Sequence, residues 1–168
     1  MICSLKVDGE EFLIGSHAIE SLVGSARDHV ANTKMFVALA KHPSSSVRQA
    51  VAYKDKINPE TAMALSNDSD LEVVRTIARN EIFKKIASEQ VLKRLLEIGD
   101  RILSDTIATN LKYYENCDYD PIVEIILASK DPAIRLSIAE NYDTPKRVLK
   151  KMANDPDPDV RNATTRER

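Results

Sequence analysis

A short pattern of apolar and small residues recurs six times along the chain. Counting the first residue of each copy as position 0, most copies have aliphatic residues at positions 0 and 4 and an alanine at position 5. A spacing of four puts both aliphatic residues on one face of a helix, whereas a strand would need a spacing of two. The copies start at Ala26, Val47, Val73, Leu103, Ile134 and Val160. Because they recur every 21 to 31 residues, they predict a tandem array of helical repeats.

A second helix is predicted after the pattern helices, because a capping residue beside proline follows them. Proline suits the first position of a helix, where its φ is preset and its missing N–H is not needed. Such starts occur at Asn58-Pro59, Asp120-Pro121 and Thr144-Pro145, and the segment 88–99 fits the same place between Ser88 and Gly99. Stacked repeats should bury the aliphatic residues of the pattern helices. These are Val47, Val51, Val73, Ile77, Leu103, Ile107, Ile134 and Ile138.

The predicted fold is all-α, a right-handed α-solenoid of the armadillo type with about five helical-hairpin repeats. The repeats occupy residues 16–168, and residues 1–15 form an N-terminal cap. Asp8-Gly9 between apolar runs favours a β-hairpin for this cap, with a terminal helix as the alternative. Either structure would cover the apolar end of the solenoid.

Two stretches resemble known repeat families: LAKHPSSSVRQAVAYK (39–54) and YDTPKRVLKKMANDPDPDVRNAT (142–164). They are similar to leucine-rich-repeat variant units and to HEAT and armadillo-like repeats, whose inner helix begins with Asp and then Val-Arg. Residues 67–129 depart from this pattern, with Val74 and Ser104 where the arginine is expected. The resemblance implies an α-solenoid with a binding role, and no particular ligand. Without the cysteine cluster that can precede leucine-rich-repeat variants, it implies no iron–sulfur cluster.

The composition excludes several classes of function. The 24 basic and 26 acidic residues nearly balance, which argues against a dedicated polyanion binder. Five tyrosines, three phenylalanines and no tryptophan give no dense stacking platform for single strands. No apolar run is long enough for a membrane span, and the N-terminus lacks the features of a secretory signal. We therefore expect a soluble, cytoplasmic protein with no membrane contact.

The sequence suggests no catalytic residue, metal site or cofactor. The three histidines stand 12 and 13 residues apart, which is not the spacing of a metal pair on one helical turn. The two cysteines, Cys3 and Cys117, cannot form a paired-thiol site. Acidic neighbours should raise the pKa of the Cys117 thiol rather than activate it. We therefore expect the protein not to be an enzyme.

Arginine recurs at position 1 of the pattern. A residue repeated in this way usually solves a packing problem common to all repeats, so we expect these arginines to bond turn carboxylates or helix-end carbonyls. The alternative is a cationic ladder that contacts phosphates or an acidic partner. The four arginines are Arg27, Arg48, Arg135 and Arg161.

Positions 2 and 6 share a helix face roughly opposite position 0, and their charge varies between copies. Such a varied stripe is how solenoids present a recognition surface, although an ordinary solvated face would look the same. The predicted partner-binding residues on it are Gln49, Tyr53, Arg75, Arg79, Leu136 and Glu140, joined by Tyr113 and Tyr114 from a long loop. The sequence favours a non-enzymatic scaffold or adaptor that binds a partner protein or peptide. The alternative, a HEAT-like nucleic-acid-binding or DNA-processing protein, would need a continuous basic groove.

Overall fold

The computed structural model describes residues 3–165, apart from the side chain of Leu5. This part of the chain is mostly helical, with a small two-stranded sheet, so the predicted all-α class is confirmed in its main feature. The chain divides into two compact units, Met1–Phe83 (unit 1) and Lys84–Arg168 (unit 2). The division into a cap, 1–15, and a repeat domain, 16–168, stays a prediction.

A β-hairpin opens the described chain, which confirms the hairpin over the alternative helix. Strands β1 (Cys3–Val7) and β2 (Glu10–Ile14) pair antiparallel. Both turn residues have positive φ, 50° at Asp8 and 87° at Gly9, a geometry that Asp-Gly adopts readily. Phe12 and Leu13 are 50% and 77% exposed, and a capping role for the hairpin stays a prediction.

Unit 1 packs three pattern helices in a row. Helix α3 lies between α1 and α5, while α2 packs on α3 and α4 packs on both α3 and α5. The helices are α1 (Ser16–Ser25), α2 (Thr33–Leu39), α3 (Ser45–Ala52), α4 (Pro59–Leu65) and α5 (Leu71–Ile77), and α6 (Glu81–Ile86) crosses the boundary between the units.

Unit 2 repeats this arrangement. Helix α10 lies between α8 and α12, α7 packs on α8 and α9, α9 also contacts α8 and α10, and α11 packs on α12. The helices are α7 (Glu89–Glu97), α8 (Arg101–Asn110), α9 (Tyr119–Leu127), α10 (Pro132–Glu140), α11 (Lys146–Met152) and α12 (Pro158–Thr164). Aspartate side chains cap α5, α8, α10 and α12 by accepting backbone N–H bonds. The capping residues are Asp70, Asp100, Asp131 and Asp157.

The core follows the repeated pattern. All eight aliphatic residues predicted to be buried are buried. Seven are completely buried, and Ile134 is 7% exposed. The alanines at position 5 are also fully buried, because they lie where neighbouring pattern helices approach each other. They are Ala52, Ala78, Ala108 and Ala139.

The copy of the pattern that starts at Ala26 does not form an α-helix, so the prediction of a helix there was wrong. Helix α1 ends at Ser25, and Val30 lies in a short 3₁₀ turn with 72% of its surface exposed. Ile19 and Val23 on α1 take the two aliphatic positions instead, with exposures of 2% and 0%. Gly24 follows them at the position of the usual alanine, but it is exposed.

Candidate functional site

Arg48 on α3 is held by four intramolecular hydrogen bonds. Its Nε and Nη2 donate to the two carboxylate oxygens of Asp68 at 2.6 and 2.7 Å. Its Nη1 donates to the carbonyl oxygens of His42 and Pro43 at 2.8 and 2.9 Å. The Arg48 and Asp68 side chains are only 13% and 8% exposed. This arrangement, an arginine clamp, ties α3 to the turn that leads into α5.

Arg135 on α10 forms the same clamp in unit 2. Its Nε and Nη2 donate to the carboxylate of Asp155 at 2.7 and 2.8 Å, and its Nη1 donates to the carbonyl of Ser129 at 2.6 Å. Both side chains of the ion pair are 8% exposed. Two-pronged bonds between guanidinium and carboxylate are among the strongest in proteins. Their geometry supports a structural role for Arg48 and Arg135.

The turn before the next pattern helix positions the clamped aspartate. Asp68 and Asp155 each accept a backbone N–H bond at 2.9 Å from the residue two positions later, Asp70 and Asp157. Such Asx turns orient a carboxylate without help from distant residues. Each clamp has a signature of two residues in the sequence, an arginine at position 1 of one copy and an aspartate five residues before the next copy. Where Val74 and Ser104 replace the arginine, Ile98 and Ser129 stand in the corresponding turn positions, five residues before the next copy, instead of aspartate.

The clamps shift the pKa of both aspartates downward. For Asp155 the hydrogen bond from Arg135 is the main cause, and it outweighs the opposing effect of burial. For Asp68 burial is the largest influence and would raise the pKa. The hydrogen bonds from Arg48 and from the Asp70 backbone N–H, together with the positive charge of Arg48, outweigh it. Both carboxylates are therefore held in the charged form.

We expect the stability of the protein to fall with acidification below the ordinary aspartate pKa of about 4. A carboxylate with a lowered folded-state pKa stabilises the fold fully above its unfolded-state pKa. This contribution is lost as the pH falls through the folded-state value. Urea unfolding followed by circular dichroism between about pH 3 and 6 measures the slope. Asp155→Asn should flatten it, whereas Asp105→Asn, at an exposed carboxylate, should leave it near that of the unchanged protein.

The other two arginines predicted for this ladder behave differently. Arg27 is not on a pattern helix, which corrects its assignment: it is exposed in the loop after α1. Its carbonyl oxygen accepts bonds from the His29 N–H and from Asn32 Nδ2. Arg161 on α12 donates from Nη1 to the carbonyl oxygens of Asp155 and Pro156 at 2.6 and 2.9 Å.

In unit 1 the predicted recognition residues Gln49 and Tyr53 line a groove between α1 and α3. The groove has a volume of about 460 Å³. Tyr53 is 66% exposed, and the Gln49 amide donates to Thr76 Oγ1 at 3.2 Å. The remaining lining residues are Glu20, Ser21, Gly24, Ser46, Ala50 and Lys54. Two of the predicted residues therefore come together at one surface feature.

Arg75 and Arg79 lie on the next pattern helix, α5, and do not line this groove. The Arg75 guanidinium pairs with the Glu72 carboxylate one turn earlier on the same helix. Arg79 is exposed. These two arginines are therefore not among the residues that line the groove with Gln49 and Tyr53.

In unit 2 the predicted residue Glu140 lines an equivalent groove between α8 and α10, with a volume of about 310 Å³. Leu136, on the same helix, is half-buried and does not line it. Tyr142 does line the groove and is 84% exposed, yet the sequence pattern missed it because it lies just beyond the helix. The other lining residues are Asp105, Thr109, Ser137, Asn141 and Asp143.

The long loop after α8 does not present two tyrosines, so the prediction for Tyr114 was wrong. A 3₁₀ turn, Leu111–Tyr113, continues from α8. Tyr114 follows it, is 3% exposed, and has its pKa raised by burial. Tyr113 is 49% exposed, and the ammonium groups of Lys84 and Lys112 lie over its ring at 5.2 and 4.7 Å. Of the pair, only Tyr113 remains a candidate for partner contact.

Cys117 lies in a groove of about 480 Å³ that also contains Glu89, Glu115 and Asp118. Burial raises the pKa of its thiol, and the carboxylates of Glu89 and Asp118 raise it further. The upward shift agrees with the expectation from the sequence, although burial contributes more than the acidic neighbours. A thiol with a raised pKa is a poor nucleophile near neutral pH.

Asparagines at position 7 form a second set of links between successive pattern helices, which the sequence analysis did not predict. The Asn80 amide donates to the carbonyls of Ala52 and Lys54 at 3.0 and 2.9 Å. The Asn141 amide donates to those of Ala108 and Thr109, both at 3.3 Å. The signal was present, since asparagine occupies position 7 in three copies: Asn80, Asn110 and Asn141.

No protein-family model, curated protein or solved structure matches this chain. Within residues 3–165, no helix is long and apolar enough to cross a membrane. The same part of the chain holds no group of three or more histidine, cysteine or acidic side chains placed to bind a metal ion. The candidate site consists of the grooves at Tyr53 and Tyr142 and the side chains that line them.

Proposed function

We propose that the protein is a non-enzymatic interaction module that binds a partner protein or peptide. We further propose that each unit is a segment of a right-handed α-solenoid of the armadillo type, similar to HEAT repeats and leucine-rich-repeat variants. The row of three pattern helices in each unit supports this proposal. The arginine clamps and the asparagines Asn80 and Asn141 add bonds between neighbouring repeats, which stabilise a stack of repeats.

The observation on which the function rests is that both units have a groove at the same place in the repeat. Each groove lies between adjacent pattern helices and is lined from positions 2 and 6. An exposed tyrosine stands at each groove, Tyr53 in unit 1 and Tyr142 in unit 2. Tyrosine is enriched among residues that dominate binding energy, because it combines a large apolar surface with a hydroxyl.

The arginine clamps also favour a protein partner over nucleic acid. Arg48 and Arg135 bond within the molecule. On α11, Arg147 and Lys151 pair with acidic side chains of α9. Two of the four ladder arginines and two basic residues of α11 are therefore already paired with carboxylates, which leaves fewer cations for a phosphate-binding surface.

We expect Tyr53→Ala to weaken partner binding by about five- to thirtyfold, the effect of losing about 1–2 kcal/mol at a binding hot spot. The substitution should change the free energy of unfolding by less than about 0.5 kcal/mol, because Tyr53 is 66% exposed. Affinity capture with the tagged protein supplies the partner. Titration of the purified partner then measures binding.

Val30→Ala is the matched control, since it truncates a 72% exposed apolar side chain outside the groove. It should bind like the unchanged protein. If Tyr53→Ala, Gln49→Ala and Tyr142→Ala all bind as the control does, the grooves are not the binding surface. Affinity that falls steeply with salt for duplex DNA or RNA would instead support the nucleic-acid alternative.

A further inference from the structure

Lys54 stands at position 7 of its copy, where Asn80 and Asn141 stand in two others. It makes the same link to the preceding pattern helix. The Nζ atom of Lys54 donates to the carbonyl oxygens of Gly24 and Ala26, at the C-terminal end of α1, at 3.2 and 3.0 Å. An ammonium group therefore takes the place of a neutral amide as the donor between two repeats.

The acceptor half of the amide is replaced as well. In unit 2 the Oδ1 atom of Asn141 accepts the backbone N–H of Asp143, two residues later, at 3.0 Å. After Lys54, the N–H two residues later belongs to Lys56, and it donates at 2.8 Å to the carboxylate of Asp28. The two bonds of one neutral side chain are thus divided between a cation and an anion in this repeat.

The charge on Lys54 is buried and has no carboxylate partner. Lys54 is 9% exposed, and it forms no ion pair with any residue between 3 and 165. Asp28, by contrast, is exposed. The nearest aromatic ring, that of Phe36, lies 5.9 Å from Nζ. Burying an ammonium costs more than burying an amide, so the link between the repeats does not by itself require this charge.

Lys54 also lines the groove of about 460 Å³ between α1 and α3, together with Gly24. Gly24 occupies position 5, where four other copies have a buried alanine, and a Cβ atom there would meet nothing within 4 Å. An ammonium has three N–H donors, and two of them bond the carbonyls of α1. Two departures from the repeated pattern therefore meet at this groove: an open place at Gly24 and a buried cation with one donor left.

We propose that the unit 1 groove binds an acidic side chain of the partner, an aspartate or glutamate whose carboxylate pairs with Lys54. This inference rests on the proposed function, because it names the chemistry that the partner brings to the same groove. Tyr53 and Gln49, which line the groove too, contact the rest of the bound segment.

The chemistry of the groove selects this occupant. A basic side chain would meet the like charge of Lys54, and an apolar side chain would leave the ammonium without a counter-ion. A single N–H donor suits one carboxylate oxygen. Phosphate groups present three acceptor oxygens and are typically held by arginine forks, and no arginine is among the described residues that line this groove.

The test uses the full chain and two small probes of nearly the same shape, N-acetyl-glutamate N-methylamide and its glutamine analogue. Two-dimensional NMR at pH 7 and constant ionic strength follows the resonances of Gly24, Gln49 and Tyr53. The glutamate probe should shift them saturably. The glutamine probe should bind at least about tenfold more weakly, the effect of losing a charge-assisted hydrogen bond.

Three variants separate the charge of Lys54 from its structural link. Lys54→Asn introduces the residue that Asn80 and Asn141 supply elsewhere, so it should keep the fold and bind both probes equally weakly. Glu20→Gln removes a carboxylate from the lining of the groove and should strengthen binding of the glutamate probe about two- to fivefold. Lys41→Asn, at an exposed lysine outside the groove, should bind like the unchanged protein.

Thermal unfolding shows whether Lys54→Asn retains the fold. The selectivity of the unchanged protein and the gain in Glu20→Gln test the proposal without that variant.

Titration with the partner distinguishes this inference from the proposed function on which it rests. Lys54→Asn should weaken partner binding at least about tenfold, as it does for the glutamate probe. If Tyr53→Ala weakens binding and Lys54→Asn does not, the groove binds the partner without a carboxylate, and only the present proposal is wrong. If both variants bind as Val30→Ala does, the proposed function is wrong as well.

Other results would also overturn the proposal. They are no saturable shift up to about 50 mM glutamate probe, equal binding of the two probes, retained selectivity in Lys54→Asn, and an equal loss in Lys41→Asn. Inorganic phosphate that shifts the same resonances at a lower concentration than the glutamate probe would indicate a phosphate site instead.

Discussion

Replacing Ile107 with alanine is expected to lower the free energy of unfolding by about 2–5 kcal/mol, the usual cost of truncating a buried aliphatic side chain. Ile107 is fully buried in the middle of α8, a helix that contacts α7, α9 and α10. The truncation removes apolar contacts and leaves a cavity among helices that cannot fully collapse around it. Urea unfolding followed by circular dichroism measures the change.

Ile102→Ala provides a matched control on the same helix. Ile102 is 47% exposed, so the same chemical change there should cost well under half as much as at Ile107. A loss below about 0.5 kcal/mol for Ile107→Ala would mean that α8 faces the core with different residues.

Arg135→Ala is expected to destabilise the protein by about 3 kcal/mol. Leaving a buried polar group without a partner costs about 1–3 kcal/mol, and breaking a buried ion pair costs about 3–5 kcal/mol. The expected value lies where these two ranges meet. The substitution leaves the Asp155 carboxylate, which is 8% exposed, without its guanidinium partner, and it leaves the Ser129 carbonyl without this donor. Chemical unfolding near pH 7 is the measurement, because Asp155 is charged there.

A double-mutant cycle with Asp155→Asn distinguishes the clamp from general packing. If the two side chains act as one unit, the double variant should cost less than the sum of the single variants by about 1 kcal/mol or more. Lys150→Ala, which truncates an exposed cation of unit 2, should be nearly neutral. Additive effects of Arg135→Ala and Asp155→Asn would show that the clamp does not link the repeats energetically.

The sequence by itself determined the helical class, the buried side of the pattern helices and the hairpin turn. Each of these depends on local rules. Helical periodicity puts Val47 and Val51 on one face, aspartates such as Asp131 cap the helix that follows, and Asp8-Gly9 adopts positive φ. The first copy failed because its match was partial, and Ile19 and Val23 of α1 satisfy the same spacing better.

Only the tertiary structure decided which polar residues meet. The pattern shows that arginine recurs, but Arg48 and Asp68 are 20 residues apart, and their pairing depends on how α3 packs against α5. Tyr114 was predicted to be exposed because its loop is long and polar, yet the 3₁₀ turn after α8 brings it into the core. The grooves at Tyr53 and Tyr142 likewise exist only between two packed helices. A residue's helical face follows from its neighbours in sequence, whereas its partners follow from segments that the chain brings together on folding.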